Sequence, residues 1–165
     1  MASEIKVNKI TTSSGSTLEF GGAGDTVSVG SGATVAGFGK VLQIVTATKT
    51  DKFTTTSTTF TDVTGLSVSI TPSSSSNKIL VQAVVNGASS QGTSTSRNLI
   101  GLFRDSTQIA LGDSAGSRTR TSFDLSTRLT GSDNLSLSGT VIFLDSPSAT
   151  SSITYAIKAV SPLGG

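Results

Sequence analysis

Six aspartates, Asp25, Asp51, Asp105, Asp113, Asp133 and Asp145, fall where the chain is expected to turn. Loop carboxylates are the raw material of a calcium site, which gathers several oxygen ligands from one short stretch. No D-x-D-x-D-G spacing is present. A turn by itself accounts for these residues, because an aspartate side chain bonds the backbone two residues on. Gly22-Ala23-Gly24 and Gly30-Ser31-Gly32 have the small residues of a phosphate-cradling loop. Neither has the third glycine at the required offset, and neither opens a helix. The chain has no histidine and no cysteine. That removes the commonest general base and transition-metal ligand, together with thiolate metal sites and disulfides. The sequence therefore predicts no catalytic residue, no metal site and no cofactor.

The arginines are the remaining chemical group. Arg97, Arg104, Arg118, Arg120 and Arg128 all lie in one window, which also holds Asp105, Asp113 and Asp124. A nucleic-acid face needs a denser basic cluster, and a single-strand binder also needs aromatic platforms on which bases stack. Arginine pairing with aspartate at an interface fits these residues better, so no nucleic-acid partner is expected. Asn134-Leu135-Ser136 matches a glycosylation acceptor, a tripeptide common by chance.

The elements that carry these residues are β in composition. Serine and threonine make up 56 of the 165 residues. Threonine favours strands, while serine and glycine favour turns. A 35% hydrophobic content with a net charge of +2 separates the chain from disordered sequences, which are apolar-poor and highly charged. No apolar run approaches the roughly 18 residues that span a membrane as a helix, so no membrane insertion is expected. The start MASEIKVNKI lacks the apolar core of a secretory signal, and synthesis in a cytoplasm is the expectation.

Residues 15–40 read GSTLEFGGAGDTVSVGSGATVAGFGK. Leu18 and Phe20, then Val27 and Val29, then Val35 form very short apolar pieces separated by glycine clusters. L-E-F and V-S-V alternate with the period of a strand. Strands this short expose too little apolar surface to bury a core alone. The stretch must lie on something else or pair with copies of itself, which predicts a thin glycine-rich β stalk of identical chains. Phe38, between Gly37 and Gly39, would sit at the joint between stalk and head. Ahead of it, Ile5, Val7 and Ile10 stand among Glu4, Lys6 and Lys9 as a candidate docking peptide that adds a strand to a partner's sheet edge. Residues 1–40 are thus docking peptide and stalk, and residues 41–165 are the head.

In the head, Val41 to Val45 is a dense β-branched run and predicts the first full strand. Phe53 to Thr59 alternates with threonine, the pattern breaks over Phe60 to Val63, and Gly65 restarts it. Leu66, Val68 and Ile70 then share one face. Lys78 to Asn86 is nearly continuous in apolar residues, which predicts a central strand with both faces covered, one of them by a neighbouring subunit. NLIGLFR, a turn at Asp105-Ser106-Thr107, and QIAL predict a hairpin. Leu137, Val141 and Phe143 share a face of a long strand, and Ile153, Tyr155, Ile157 and Ala159 alternate in the last one. About nine strands spaced by turns predict a β-sandwich or barrel, and a jelly roll suits that number. The predicted core is Leu66, Val68, Ile70, Val81, Ala83, Val141, Phe143, Ile153, Tyr155 and Ile157.

SEIKVNKI, the glycine-rich repeats and FGKVLQIVTATKTDKFTTTSTTFTDVTGLSVSITPSSSSNKILV resemble tail-fibre-like and virion structural proteins of tailed bacteriophages, especially marine and cyanobacterial phages. LIGLFRDSTQIALGD, GSRTR and SPSATSSITYAIKA look like the rest of the same head module. The resemblance covers almost the whole chain. It implies a non-enzymatic homotrimer with a jelly-roll-like head, displayed on the virion surface. Its expected partners are its own copies and a major capsid protein or a tail or baseplate protein. The chain is short for a tail fibre, which favours a capsid decoration, as a cement or head-fibre protein. The competing expectation is a carbohydrate-binding module or receptor-binding tip that contacts host surface glycans. Sugar faces use aromatic platforms, and one tyrosine with no tryptophan supplies few.

Overall fold

A computed structural model describes residues 41–87, 97–126 and 136–162. The chain divides into two compact units, Met1–Leu42 and Gln43–Gly165, and every described strand belongs to the second. The described residues are all-β and contain no helix. They form seven strands: β1 (Thr61–Ile70), β2 (Ile79–Gly87), β3 (Leu99–Arg104), β4 (Thr107–Ile109), β5 (Phe123–Asp124), β6 (Leu137–Asp145) and β7 (Ile153–Val160). All pairings are antiparallel. The larger sheet runs β1-β7-β3-β4, with β5 also on β3, and β2 pairs with β6 in a separate two-stranded sheet.

One core lies between the two sheets. Val63, Ile100, Leu102, Ile157 and Ala159 of the larger sheet, with Leu125, meet Val141 of β6, and Val81, Ala83, Val85, Leu137 and Phe143 pack against the same cluster. The period-2 pattern produces this, because alternate side chains on a strand point to the same face. Of the predicted core, Val141, Ile153, Tyr155 and Ile157 are buried, and Leu66, Val68, Ile70, Val81, Ala83 and Phe143 are half-buried on the same inward faces.

Two glycines fit the strands to this core. Gly65 has φ +90, a conformation that costs glycine little, and it lies within the register shift between Asp62 and Ser67. That bulge re-aims β1 and falls a few residues beyond the expected break at Phe60 to Val63. Gly139 is the second: a Cβ there would lie 2.3 Å from the Phe123 ring. The missing side chain lets β6 close onto the aromatic ring that β5 holds inward.

The strands β3 and β7 are buried on both faces. On the outer side, the Phe60 ring packs edge-on against Phe103, with centroids 5.3 Å apart. Lys158 lies over the same Phe103 ring at 4.9 Å and pairs with Asp62 at 3.0 Å. The Ser161 amide donates to the Ser57 carbonyl at 2.8 Å. The segment leading into β1 thus lies over the outer face of the larger sheet.

Three expectations are corrected. Residues 41–60 contain no strand: the β-branched run Val41 to Val45 has strand propensity, but a ladder also needs a partner edge, and none is paired to it among the described residues. The strand over Lys78 to Asn86 is not central, since β6 is its one ladder partner among the described residues. The described strands number seven rather than about nine, because the expected strands over residues 41–45 and 53–59 do not form.

Candidate functional site

The outer face of the β2–β6 sheet is built by alternation. The residues between the inward Val81, Ala83 and Val85 must point away from the core, and so must those between Leu137, Gly139, Val141 and Phe143. Cross-strand pairing then sets Leu80 beside Leu144, Gln82 beside Ile142, Val84 beside Thr140 and Asn86 beside Ser138. All of these are exposed. Leu80, Val84, Ile142 and Leu144 expose between 56% and 64% of their surface. None of the outward residues carries a charge. Scattered exposed apolar residues are ordinary, but a contiguous apolar face marks an interaction surface. Hydrogen bonding fixes its geometry, with register pairs running unbroken from Ile79–Asp145 to Gly87–Leu137.

Beside β2 a cleft of about 220 Å3 reaches in between the two sheets, lined by Val45 and Ala47, by Leu66 and Val68 of β1, by Ile157 of β7 and by Val81 and Ala83 of β2. Ile44, next in the chain, is 78% exposed. Residues 45–47 therefore lie beside β2 within their own chain.

The end of β6 is anchored by a polar cluster. The Arg104 Nη1 donates to both carboxylate oxygens of Asp145, at 2.8 and 2.9 Å. The Tyr155 hydroxyl donates to Asp145 Oδ2 at 2.5 Å. Asp145 is buried, and a buried carboxylate is tolerated when its oxygens are paired in this way. Burial raises the pKa of Tyr155 well above its ordinary value, and the hydrogen bond to Asp145 raises it further. The cluster joins β3 and β7 of the larger sheet to β6 and so holds the orientation of the apolar face.

Asp145 was expected in a turn, and Arg104 is its partner across 41 positions. Asp105 does sit in a turn, with φ 52, and accepts from the Thr154 amide at 2.9 Å. The Arg97 guanidinium meets Asp124 at 3.3 Å, and Arg120 donates to the Gly112 carbonyl. The two described arginine–aspartate pairs thus lie within one chain. Among the described residues, no three acidic side chains converge on a common point.

The sequence-predicted docking residues Ile5, Val7 and Ile10 lie outside the described residues, as do the stalk residues Leu18, Phe20, Val27, Val29, Val35 and Phe38. Leu80 and Val84 lie in the continuous run Lys78–Asn86 whose second face the sequence assigns to a neighbouring subunit. Ile142 and Leu144 were not singled out, and the signal that could have found them is the continuity of VIFL, where a half-buried strand would alternate with polar residues. No protein family, curated protein or solved structure matches the chain.

Proposed function

We propose that this chain is a non-enzymatic, homotrimeric structural protein of a bacteriophage virion, displayed on the particle surface as a capsid decoration, in the manner of a cement or head-fibre protein, or as a tail-fibre protein. The single observation that carries this reading is the exposed, uncharged apolar face of the β2–β6 sheet. A sheet face of this kind belongs against another protein surface, and assembly is the activity it serves. The glycine-rich repeats of residues 15–40 add a second element suited to pairing with copies of itself. The sequence likeness to phage virion proteins supplies the setting: synthesis in the host cytoplasm and display on the virion.

A jelly-roll-like head is part of the same proposal. The chain passes from β1 in the larger sheet to β2 in the smaller, back to β3, and later from β6 to β7, which lies between β1 and β3. Repeated crossing between two antiparallel sheets is the pattern of double-sheet jelly rolls, common in capsid proteins. A glycan-binding role draws less support, since the single tyrosine is buried against Asp145 and offers a sugar no platform.

Mass spectrometry of purified phage particles, followed by a cryo-EM map of the same particles, tests the proposal. It expects the chain in the virion at a multiple of three copies, with the head projecting outward. Absence of the chain from washed, infectious particles would overturn it.

A further inference from the structure

We infer that the cleft between the two sheets is a binding site for one small, uncharged apolar molecule with the bulk of a single substituted aromatic ring. The site lies within one chain and stands apart from the assembly reading above.

The core is filled unevenly. Leu102 and Ile157 are 1% and 5% exposed, whereas Leu66, Val68, Val81, Ala83 and Val85 are only half-buried on the inward faces. All of these residues line the cleft of about 220 Å3. The buried pair thus forms its deep end and the half-buried residues form its walls. Side chains that border a gap on one side lose the dispersion contacts that a filled core supplies. An apolar guest restores them.

The lining chemistry sets the class of guest. No residue around the cleft carries a charge, so an ion would lose its hydration with nothing to replace it. The Tyr155 hydroxyl is committed to Asp145. Among the described residues no buried side-chain polar atom lacks a hydrogen-bond partner, so the walls hold no unmet demand for water or a sugar hydroxyl. The polar lining residues Thr46, Ser67 and Gln82 are all exposed and belong to the mouth.

Volume sets the size. An apolar cavity of about 150 Å3 in another protein stays dry and binds benzene. The present cleft, at about 220 Å3, takes one ring with a small substituent. Residues 45–47 border the mouth and belong to no ladder. Moving them to admit a guest breaks no strand pairing.

The test is a titration of the full chain, carrying isotope-labelled methyl groups, with toluene, followed by NMR. The expected result is saturable shifts of the Val68, Val81 and Ile157 methyls, with Leu80, Ile142 and Leu144 on the exposed outer face unmoved. Benzoate, the same ring bearing a charge, should shift none of them. Ala83→Leu fills the cleft from within, and Ala47→Phe fills its mouth from an exposed position. Each should abolish the toluene shifts, with circular dichroism to confirm folding. The mouth variant decides the matter if the inner one fails to fold. Absence of saturable shifts up to the solubility of toluene would overturn the inference. So would shifts centred on Leu80, Ile142 and Leu144, equal shifts with benzoate, or undiminished toluene binding by folded Ala47→Phe.

Discussion

Arg104 and Asp145 join the two sheets: one guanidinium nitrogen of β3 donates to both carboxylate oxygens at the end of β6, at 2.8 and 2.9 Å. Removing the charge of a buried partner leaves the other charge uncompensated, which costs more than the pair contributes when intact. Asp145→Asn should therefore destabilise the head by about 3 kcal/mol, read from the midpoint of urea unfolding. A loss below roughly 1 kcal/mol, the range of exposed ion pairs, would show that Asp145 is solvated.

The hydroxyl of Tyr155 gives a spectroscopic readout of the same cluster. Its pKa is raised above the ordinary 10.0, first by burial and then by the hydrogen bond to Asp145. Between the unfolded and folded pKa values the unfolded chain has lost a proton that the folded chain retains. Stability from this group is thus complete below pH 10.0 and falls as pH rises beyond it. The chain has one tyrosine, so tyrosinate absorbance reports it alone. The folded protein should show little ionisation at about pH 11, where free tyrosine is mostly ionised, and urea-unfolded protein should titrate normally. Half-ionisation near pH 10.0 in the folded protein would remove the hydroxyl from its buried site.

Gly139 and Phe123 should be coupled. A Cβ at residue 139 would lie 2.3 Å from the ring, so Gly139→Ala forces β6 or the ring to move. Overpacking of this kind costs roughly 1–3 kcal/mol. Phe123→Leu in the Gly139→Ala background should recover part of that loss, giving an interaction energy above about 0.5 kcal/mol in a double-mutant cycle. Strict additivity would mean that the two residues do not touch.

The strands were legible where one face is buried and the other is polar. Ile153, Tyr155, Ile157 and Ala159 announce β7, and Leu137, Val141 and Phe143 announce β6, because the alternation is itself the product of burial on one side. The run Val41 to Val45 misleads for the complementary reason: strand propensity resides in the residues, whereas pairing depends on a free edge at the right distance. The polar cluster was hidden. Asp145 has the flanking Ser146 and Pro147 of a turn residue, and its partner Arg104 is set by cross-sheet packing that no local spacing encodes. The apolar face lay between these cases. The continuous run around Val84 and Val85 signals cover on both sides, and among the described residues only the inner side receives it.

The isolated head should retain its association. The β2–β6 face lies in the unit Gln43–Gly165, so a chain beginning at Lys40 should still form trimers in sedimentation experiments, although it should no longer attach to the particle. A peptide of residues 1–40 should show no folded signal by circular dichroism, because its short strands need several chains held together at high effective concentration. A monomeric head together with a stable trimer of the 1–40 peptide would move the organising role to the stalk.

Self-association of the full chain is the claim on which the assembly reading depends, and its molar mass in solution tests it most directly. Multi-angle light scattering at micromolar concentration should give three times the chain mass of 16.6 kDa, unchanged on dilution within that range. A mass equal to one chain would contradict the account.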